Sequence, residues 1–150
     1  MKILRANSRD STTLTKLTKR SKAHWGYSDE QIELWSEQLT ISASYIETTS
    51  VYKLMIGNII AGYYSFYNKD EYTIKLDNLF ILPEYIGKGF GRILMNDFLL
   101  HLKKTNAKKV ILDSEPNAEE FYAKLGFIKT GQHKSSIKDR FLPMMELSII

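Results

Sequence analysis

The sequence predicts an α/β fold of mixed character, with a central, mostly antiparallel twisted sheet of about seven strands flanked by helices. Residues 50–82 contain three strand-like stretches in succession, separated by short turns. Residues 87–133 then alternate helical and strand-like patterns. Strands joined by turns pair as antiparallel neighbours, whereas strands joined through a helix lie parallel, so the two patterns together predict a mixed sheet.

The predicted elements follow in the order β, α, α, β, β, β, α, β, α, β, β. The first helix is indicated by Leu14 and Leu17 at helical spacing, and the second by Ser28 or Asp29 as an N-cap. Pro116 suits the first turn of the last helix, which Gly126 ends. The predicted ranges are 2–6, 10–24, 28–39, 50–56, 59–67, 72–82, 87–105, 109–112, 116–125, 127–133 and 144–149.

Composition excludes several classes of protein. The chain has 150 residues and no cysteine, so it is long enough for one domain spanning 1–150 and has no disulfide, thiolate metal site or cysteine nucleophile. Its three histidines lack metal-ligand spacing, so no metal is expected. A net charge of +4 without a nucleic-acid motif favours a solvated surface over nucleic-acid binding. No membrane span or signal peptide is recognised, and we expect a cytoplasmic protein.

The most informative stretch is Ile86-Gly87-Lys88-Gly89-Phe90-Gly91-Arg92, which joins a predicted strand to a predicted helix. Glycines at alternate positions let backbone amides approach a ligand, and the helix N-terminus favours a phosphate. A tight turn without a ligand is the structural alternative. A Walker loop is excluded because no GK[ST] follows, but a dinucleotide-binding turn, with Asp113 as the ribose acid, stays a rival despite its different glycine spacing.

Two motifs resemble those of the GCN5-related N-acetyltransferases. Residues 86–91 look like the family's acyl-CoA pyrophosphate loop, Q/R-x-x-G-x-G/A, with Ile86 in place of the usual Gln or Arg. Residues 117–127 resemble its second signature, N-x-x-A-x-x-F-Y-x-x-x-G-F, with the alanine displaced by one or two positions. The element order of the whole chain also agrees with this fold.

The resemblance implies an acetyl-CoA site and assigns its residues. The backbone of the strand before the loop would pair with the pantetheine arm, where the sheet splays from residues 109–112, and the loop amides would hold the pyrophosphate. Asn117 would contact the arm, although an N-cap role is equally open. The implied cofactor-binding residues are Phe80, Ile81, Leu82, Gly87, Lys88, Gly89, Phe90, Gly91, Arg92, Asn117 and Tyr122.

Tyr122 is the residue that the resemblance assigns to chemistry, as the acid that protonates the departing CoA thiolate. A packing role beside Phe121 is the alternative. Asp77 is the candidate base for the amine, with Glu47 and Glu115 as weaker candidates, and it has a structural alternative as the partner of Lys75 or Asn78.

The acceptor pocket is expected where the first two helices join, with His24, Trp25 and Tyr27 as substrate-binding residues. An aromatic pair suits an amine through cation–π contact, whereas a packed helix corner explains the same residues. Residues 135–140 are a second predicted wall.

These expectations together describe an N-acetyltransferase that moves an acetyl group from acetyl-CoA to a primary amine by direct attack in a ternary complex. The acceptor is a small molecule or a protein, and many relatives form homodimers. The alternative is an acyl-CoA-binding or interaction module without turnover, which Ile86 keeps open and Tyr122 argues against.

Overall fold

A computed structural model describes residues 1–137 and 139–149. Its strands are β1 (Lys2–Arg5), β2 (Ser50–Ile56), β3 (Ile59–Asn68), β4 (Thr73–Ile81), β5 (Lys109–Asp113), β6 (Ile128–Lys134) and β7 (Phe141–Ser148). Its helices are α1 (Ser11–Ala23), α2 (Asp29–Leu34), α3 (Ser36–Leu39), α4 (Ala43–Thr48), α5 (Phe90–Leu102) and α6 (Glu119–Lys124). Short 3₁₀ turns precede α1, α5 and α6.

The predicted mixed sheet is confirmed. It has seven strands in the order β1-β2-β3-β4-β5-β7-β6. β4 and β5 pair in parallel, as expected for strands joined through a helix, and the pairs β1–β2, β2–β3, β5–β7 and β6–β7 are antiparallel. The chain forms two compact units, one of Met1–Phe66 with Asn78–His101 (unit 1) and one of Tyr67–Asp77 with the residues from Leu102 onward (unit 2).

Unit 1 has helices packed on its strands. Leu14 and Leu17 of α1 are buried in one cluster with Tyr63 of β3, whose hydroxyl lies 2.6 Å from that of Thr18. Phe98 of α5 packs against the ring of Tyr64 of β3, with the two ring centroids 5.6 Å apart. This packing fixes the direction of α1 and of α5, and α5 begins directly after the glycine-rich loop.

Unit 2 is built on β5 and β7, with Val110, Leu112 and Met145 buried. Its pairing of β4 with β5 runs only from Thr73↔Lys109 to Lys75↔Ile111, although both strands continue. The splay between these two strands stays a prediction.

Three elements differ from the prediction. The helix expected over 28–39 is interrupted at Trp35, whose backbone (φ −90°, ψ 5°) leaves the helical region while its buried indole packs edge-on against Tyr27. The helix α4 was not predicted. β7 begins at Phe141 rather than Met144, because Pro143 is accommodated in the strand and its carbonyl accepts a hydrogen bond from the Ser114 amide at 2.7 Å.

Candidate functional site

The loop between β4 and α5 contains two glycines in the left-handed region of backbone conformation. Gly87 and Gly89 have φ of +81° and +85°, and Lys88 between them has no positive φ. Left-handed residues in a turn can direct successive backbone amides toward a bound anion. A Cβ placed on either glycine meets no atom within 4 Å, so the space beside the loop is open.

The amides of this loop are available to a ligand. The Ile86 amide donates to the Pro83 carbonyl at 3.3 Å, and the Ile93 amide donates to the Gly89 carbonyl at 3.2 Å. Between these two bonds, no acceptor for the amides of residues 87–92 lies among the described residues. The last of these amides belong to the first turn of α5, where unpaired N–H groups and the helix dipole favour negative charge.

Aromatic packing frames the loop at the position where Ile86 stands. Tyr85 and Phe90 meet edge to face with their centroids 5.8 Å apart, so their rings connect the start of the loop to the start of α5. The Lys88 ammonium lies 5.8 Å from the Tyr85 ring centroid. On the other side, Glu84 pairs with Arg20 of α1 at 2.6 Å. These contacts hold the loop without a polar side chain at residue 86.

The strand that leads into the loop is fixed by its side chains. Phe80 packs against Tyr63 with centroids 6.0 Å apart, and the Leu82 amide donates to the Ala61 carbonyl at 2.8 Å. Ile81 fills the space that Gly62 leaves, because a Cβ on Gly62 would lie 2.7 Å from its Cδ1. What this segment can offer to a ligand is therefore its backbone.

Tyr122 lies in unit 2, on α6, and is 7% exposed. Its ring packs edge-on against Phe121 and Phe127, with centroids 5.1 and 5.6 Å away. Burial raises the pKa of the Tyr122 phenol, so the group stays protonated. In the described part of the chain, the Tyr122 hydroxyl has no hydrogen-bond partner. No fully buried side-chain polar atom in that part is left without a partner, so this hydroxyl is in contact with solvent. The side chain is a neutral proton donor.

Asn117 does not cap α6. The residue before the helix is Ala118, and the Asn117 amide nitrogen donates to the Glu115 carboxylate at 2.9 Å. Glu115 in turn pairs with Arg140 at 2.8 Å, with 11% and 13% of their side chains exposed. The N-cap alternative is therefore wrong, and the largely buried ion pair gives Glu115 a structural role.

Comparison with known proteins agrees with this geometry. An acetyltransferase (GNAT) domain model matches residues 25–147. The chain belongs to the GNAT acetyltransferase family. Two curated relatives, both uncharacterized N-acetyltransferases named ycf52, come from Porphyra purpurea and Pyropia yezoensis. The first is 37% identical over 33% of this chain and 28% of its own length, and the second is 23% identical over 61% and 53%. The chain thus spans about half, or less, of these relatives.

The fold is also that of solved GNAT structures. The PaiA N-acetyltransferase of Thermoplasma acidophilum, determined in complex with coenzyme A, is 20% identical, with a TM-score of 0.84 over 98% of each chain. At this identity the likeness establishes the fold. Within the described residues, no group of three or more potential ligand side chains is suited to a metal ion, and no helix is long and apolar enough to cross a bilayer.

The candidate base of this GNAT chain, Asp77, is exposed on β4. Lys75 and Asn78, the two residues considered as structural partners of Asp77, each have contacts with other residues. Lys75 pairs with Asp113 at 2.7 Å, and the Asn78 amide nitrogen donates to the hydroxyls of Ser65 and Tyr45 at 2.9 and 3.2 Å.

Asp113, the candidate ribose-binding acid of the dinucleotide alternative, already has a partner at each carboxylate oxygen. Lys75 pairs with one oxygen, and His133 lies 3.2 Å from the other. This cluster joins residues from three strands. Lys75, Asp113 and His133 are far apart in the sequence and form no recognisable spacing, so the sequence analysis did not predict this cluster.

The predicted acceptor residues separate into two groups. His24 and Trp25 contact each other edge-on at 5.2 Å, and Trp25 is 40% exposed. Tyr27 instead packs on Trp35, and the Lys22 ammonium lies 5.8 Å from its ring centroid. The ring of Tyr27 is thus occupied by the protein's own cation, which leaves Trp25 as the aromatic surface open to an amine. In the second predicted wall, Lys138 lies outside the described residues.

Proposed function

We propose that this GNAT chain is an N-acetyltransferase that transfers the acetyl group of acetyl-CoA to a primary amine within a ternary complex. The observation that carries the proposal is the row of amides from Gly87 to Arg92, in the glycine-rich loop and the first turn of α5, for which the described residues offer no acceptor. Such a row matches the oxygens of a pyrophosphate. The PaiA relative, which has the same fold, was determined with coenzyme A.

The donor would be held mainly by backbone groups. The amides of Gly87, Lys88, Gly89, Phe90, Gly91 and Arg92 would bind the pyrophosphate, with the Lys88 and Arg92 side chains adding positive charge at the rim. The backbone of Phe80, Ile81 and Leu82 would pair with the pantetheine arm as an added strand does. Asn117 would give up its exposed hydrogen bond to Glu115 and bind the pantetheine arm in its place. Acetyl-CoA supplies an activated thioester.

Proton movement would be divided between two residues. The neutral amine attacks the thioester carbonyl carbon, and Asp77 accepts the proton that the nitrogen loses as the carbon–nitrogen bond forms. As the carbon–sulfur bond breaks, Tyr122 gives its phenolic proton to the thiolate, and the products are an amide and CoA. Burial raises the pKa of the Tyr122 phenol, so the group is protonated and able to donate before the carbon–sulfur bond breaks. No cysteine is present to form an acyl-enzyme thioester.

The acceptor would bind at the end of α1. Trp25 presents an exposed aromatic face and His24 contacts it, which suits an ammonium group that becomes a neutral amine before attack. Tyr27 would support this surface from its contact with Trp35. Both small-molecule and protein amines fit this chemistry, and a homodimer stays a prediction.

A non-catalytic acyl-CoA-binding module is the second candidate, favoured by Ile86, which cannot offer the polar side chain usual at that position. The two candidates differ in turnover. Both require binding of acetyl-CoA and CoA, whereas only an enzyme releases thiol when amines are added.

The testing experiment measures thermal stability with acetyl-CoA, CoA, NAD and ATP, and then thiol release over a panel of amines. A ligand at about 100 times its Kd stabilises a fold by roughly 2.7 kcal/mol, which raises Tm by several degrees at this size. We expect shifts with acetyl-CoA and CoA only, followed by amine-dependent thiol release. A shift with NAD alone would contradict the proposal, and binding without turnover over the panel would favour the module.

A further inference from the structure

Unit 1 contains a cavity that shares with the proposed acetyl-CoA site only Leu82, whose backbone is assigned to the pantetheine arm. It has a volume of about 520 Å³ and lies between α1 and the β2–β3 hairpin, with Leu82 at one end. This volume lies in the range of about 300–1,000 Å³ that is typical of small-molecule sites. Its lining includes neither the glycine-rich loop nor the acceptor residues His24, Trp25 and Tyr27.

The floor of the cavity is apolar. Leu17 and Leu82, which are 2% and 9% exposed, belong to the core of unit 1 and form a firm base. Met55 is partly exposed beside them, and Ile59 at the rim is 51% exposed. A ligand with a hydrocarbon body would remove this apolar surface from water, which favours its binding.

The rim carries more positive than negative charge. Lys16, Arg20 and Lys53 face the cavity together with one carboxylate, that of Asp10. Asp10 is already neutralised by Lys53 at 2.8 Å, and each of these side chains is only 14% exposed. The remaining positive charge therefore comes from Lys16 and Arg20.

These two cations are available to a ligand. Lys16 is exposed and has no hydrogen bond or ion pair with any residue that the structure describes. Arg20 is paired with Glu84 at 2.6 Å, but 54% of each side chain is exposed, and such surface pairs contribute little and exchange readily. A guanidinium also matches a carboxylate with two parallel hydrogen bonds.

We propose that this cavity is a second ligand site, for a small organic carboxylate with a hydrocarbon body. The hydrocarbon lies on Leu17 and Leu82, and the carboxylate is bound by Lys16 and by Arg20, which exchanges Glu84 for the ligand. A cationic ligand of the same size is disfavoured, because it would meet the two cations with no unpaired carboxylate to receive it.

The test uses hexanoate as the probe and the Met55 methyl group as the reporter. Met55 is the methionine among the lining residues, so ¹³C-methyl-methionine NMR reports on the cavity directly, and Met55→Leu assigns its signal. We expect a saturable shift of the Met55 signal with hexanoate and none with the neutral hexanamide. The titration is run without acetyl-CoA or an amine, so its result does not depend on acetyl transfer.

A pair of charge-matched variants tests the role of the rim. Lys16→Glu is expected to weaken hexanoate binding about fivefold or more, because an attraction becomes a repulsion, whereas Lys104→Glu, with the same change in net charge, should stay within about twofold. Both side chains are exposed, so the fold is retained. Absence of saturation at Met55, equal binding of hexanamide, equal effects of the two variants, or displacement of hexanoate by CoA would each overturn the proposal.

Discussion

Replacement of Gly89 by alanine separates the role of the loop in binding from its role in stability. Gly89 has a φ of +85° and open space where a Cβ would lie, so the substitution causes no clash within the protein. Its cost to the fold is that of a left-handed L-residue, about 1–2 kcal/mol, which lowers Tm by a few degrees. The new methyl group also enters the open space beside the loop, where the pyrophosphate is proposed to bind.

Gly57→Ala is the matched control. Gly57 lies in the β2–β3 turn with a φ of +59°, and a Cβ there also meets nothing within 4 Å. The two variants should therefore lose similar stability. Only Gly89→Ala should lose affinity for CoA, by at least about tenfold, since displacement of charge-assisted hydrogen bonds costs about 1.5–3 kcal/mol each.

The assay is isothermal titration of both variants with CoA and with pantetheine, which lacks the pyrophosphate, alongside thermal unfolding. We expect Gly89→Ala to weaken CoA binding and to leave pantetheine binding unchanged. Unchanged CoA affinity in this variant, or an equal loss in Gly57→Ala, would refute the assignment of the loop to the pyrophosphate.

Three further outcomes are expected. Tyr122→Phe should lower kcat about 10²-fold with little change in Tm or in KM for acetyl-CoA, since the ring packing is kept; an unchanged kcat would mean that another group protonates the thiolate. Asp77→Asn should lower kcat/KM, and a kcat/KM equal to that of the parent across pH would place the base elsewhere. Gly62→Ala should destabilise the fold by about 1–3 kcal/mol, because its Cβ would lie 2.7 Å from Ile81 Cδ1 and 3.0 Å from the Phe80 carbonyl oxygen. Denaturant unfolding of this variant measures the loss of stability, and the double variant Gly62→Ala/Ile81→Val should recover part of it. An unchanged free energy of unfolding in Gly62→Ala would show that the strands move apart at no cost in stability.

The strands and the loop were predictable because their signals are local. Alternating or continuous apolar residues and turn residues between them define β2, β3 and β4, and the observed β2 has the predicted bounds of 50–56. The glycines at 87 and 89 were identified from their alternate spacing, and both adopt the positive φ that glycine permits. In these segments the local preference and the tertiary structure agree.

The helices before β2 were predicted less well because tertiary packing decides them. Ile32, Trp35 and Leu39 have the spacing of one continuous helix, but the burial of Trp35 against Tyr27 accompanies a break there. Only six residues form α4, too few to show a periodic pattern. Its one local signal is Ser42, whose hydroxyl caps the helix by accepting a hydrogen bond from the Tyr45 amide at 3.0 Å.

Side-chain partners within the candidate site were not predictable from spacing. The contacts of Asn117 and Arg140 with Glu115 depend on how the loop before β7 returns to the start of α6. Likewise, the occupation of the Tyr27 ring by Lys22 depends on the path of the chain after α1. A sequence motif can therefore indicate which residues matter and still leave open what they contact.

The most direct test of the central claim is a crystal structure of the protein with bound CoA. The account predicts pyrophosphate oxygens at about 2.7–3.2 Å from the amide nitrogens of residues 87–92, which are the unpaired donors of the loop. A pyrophosphate bound elsewhere, with those amides still facing solvent, would contradict it.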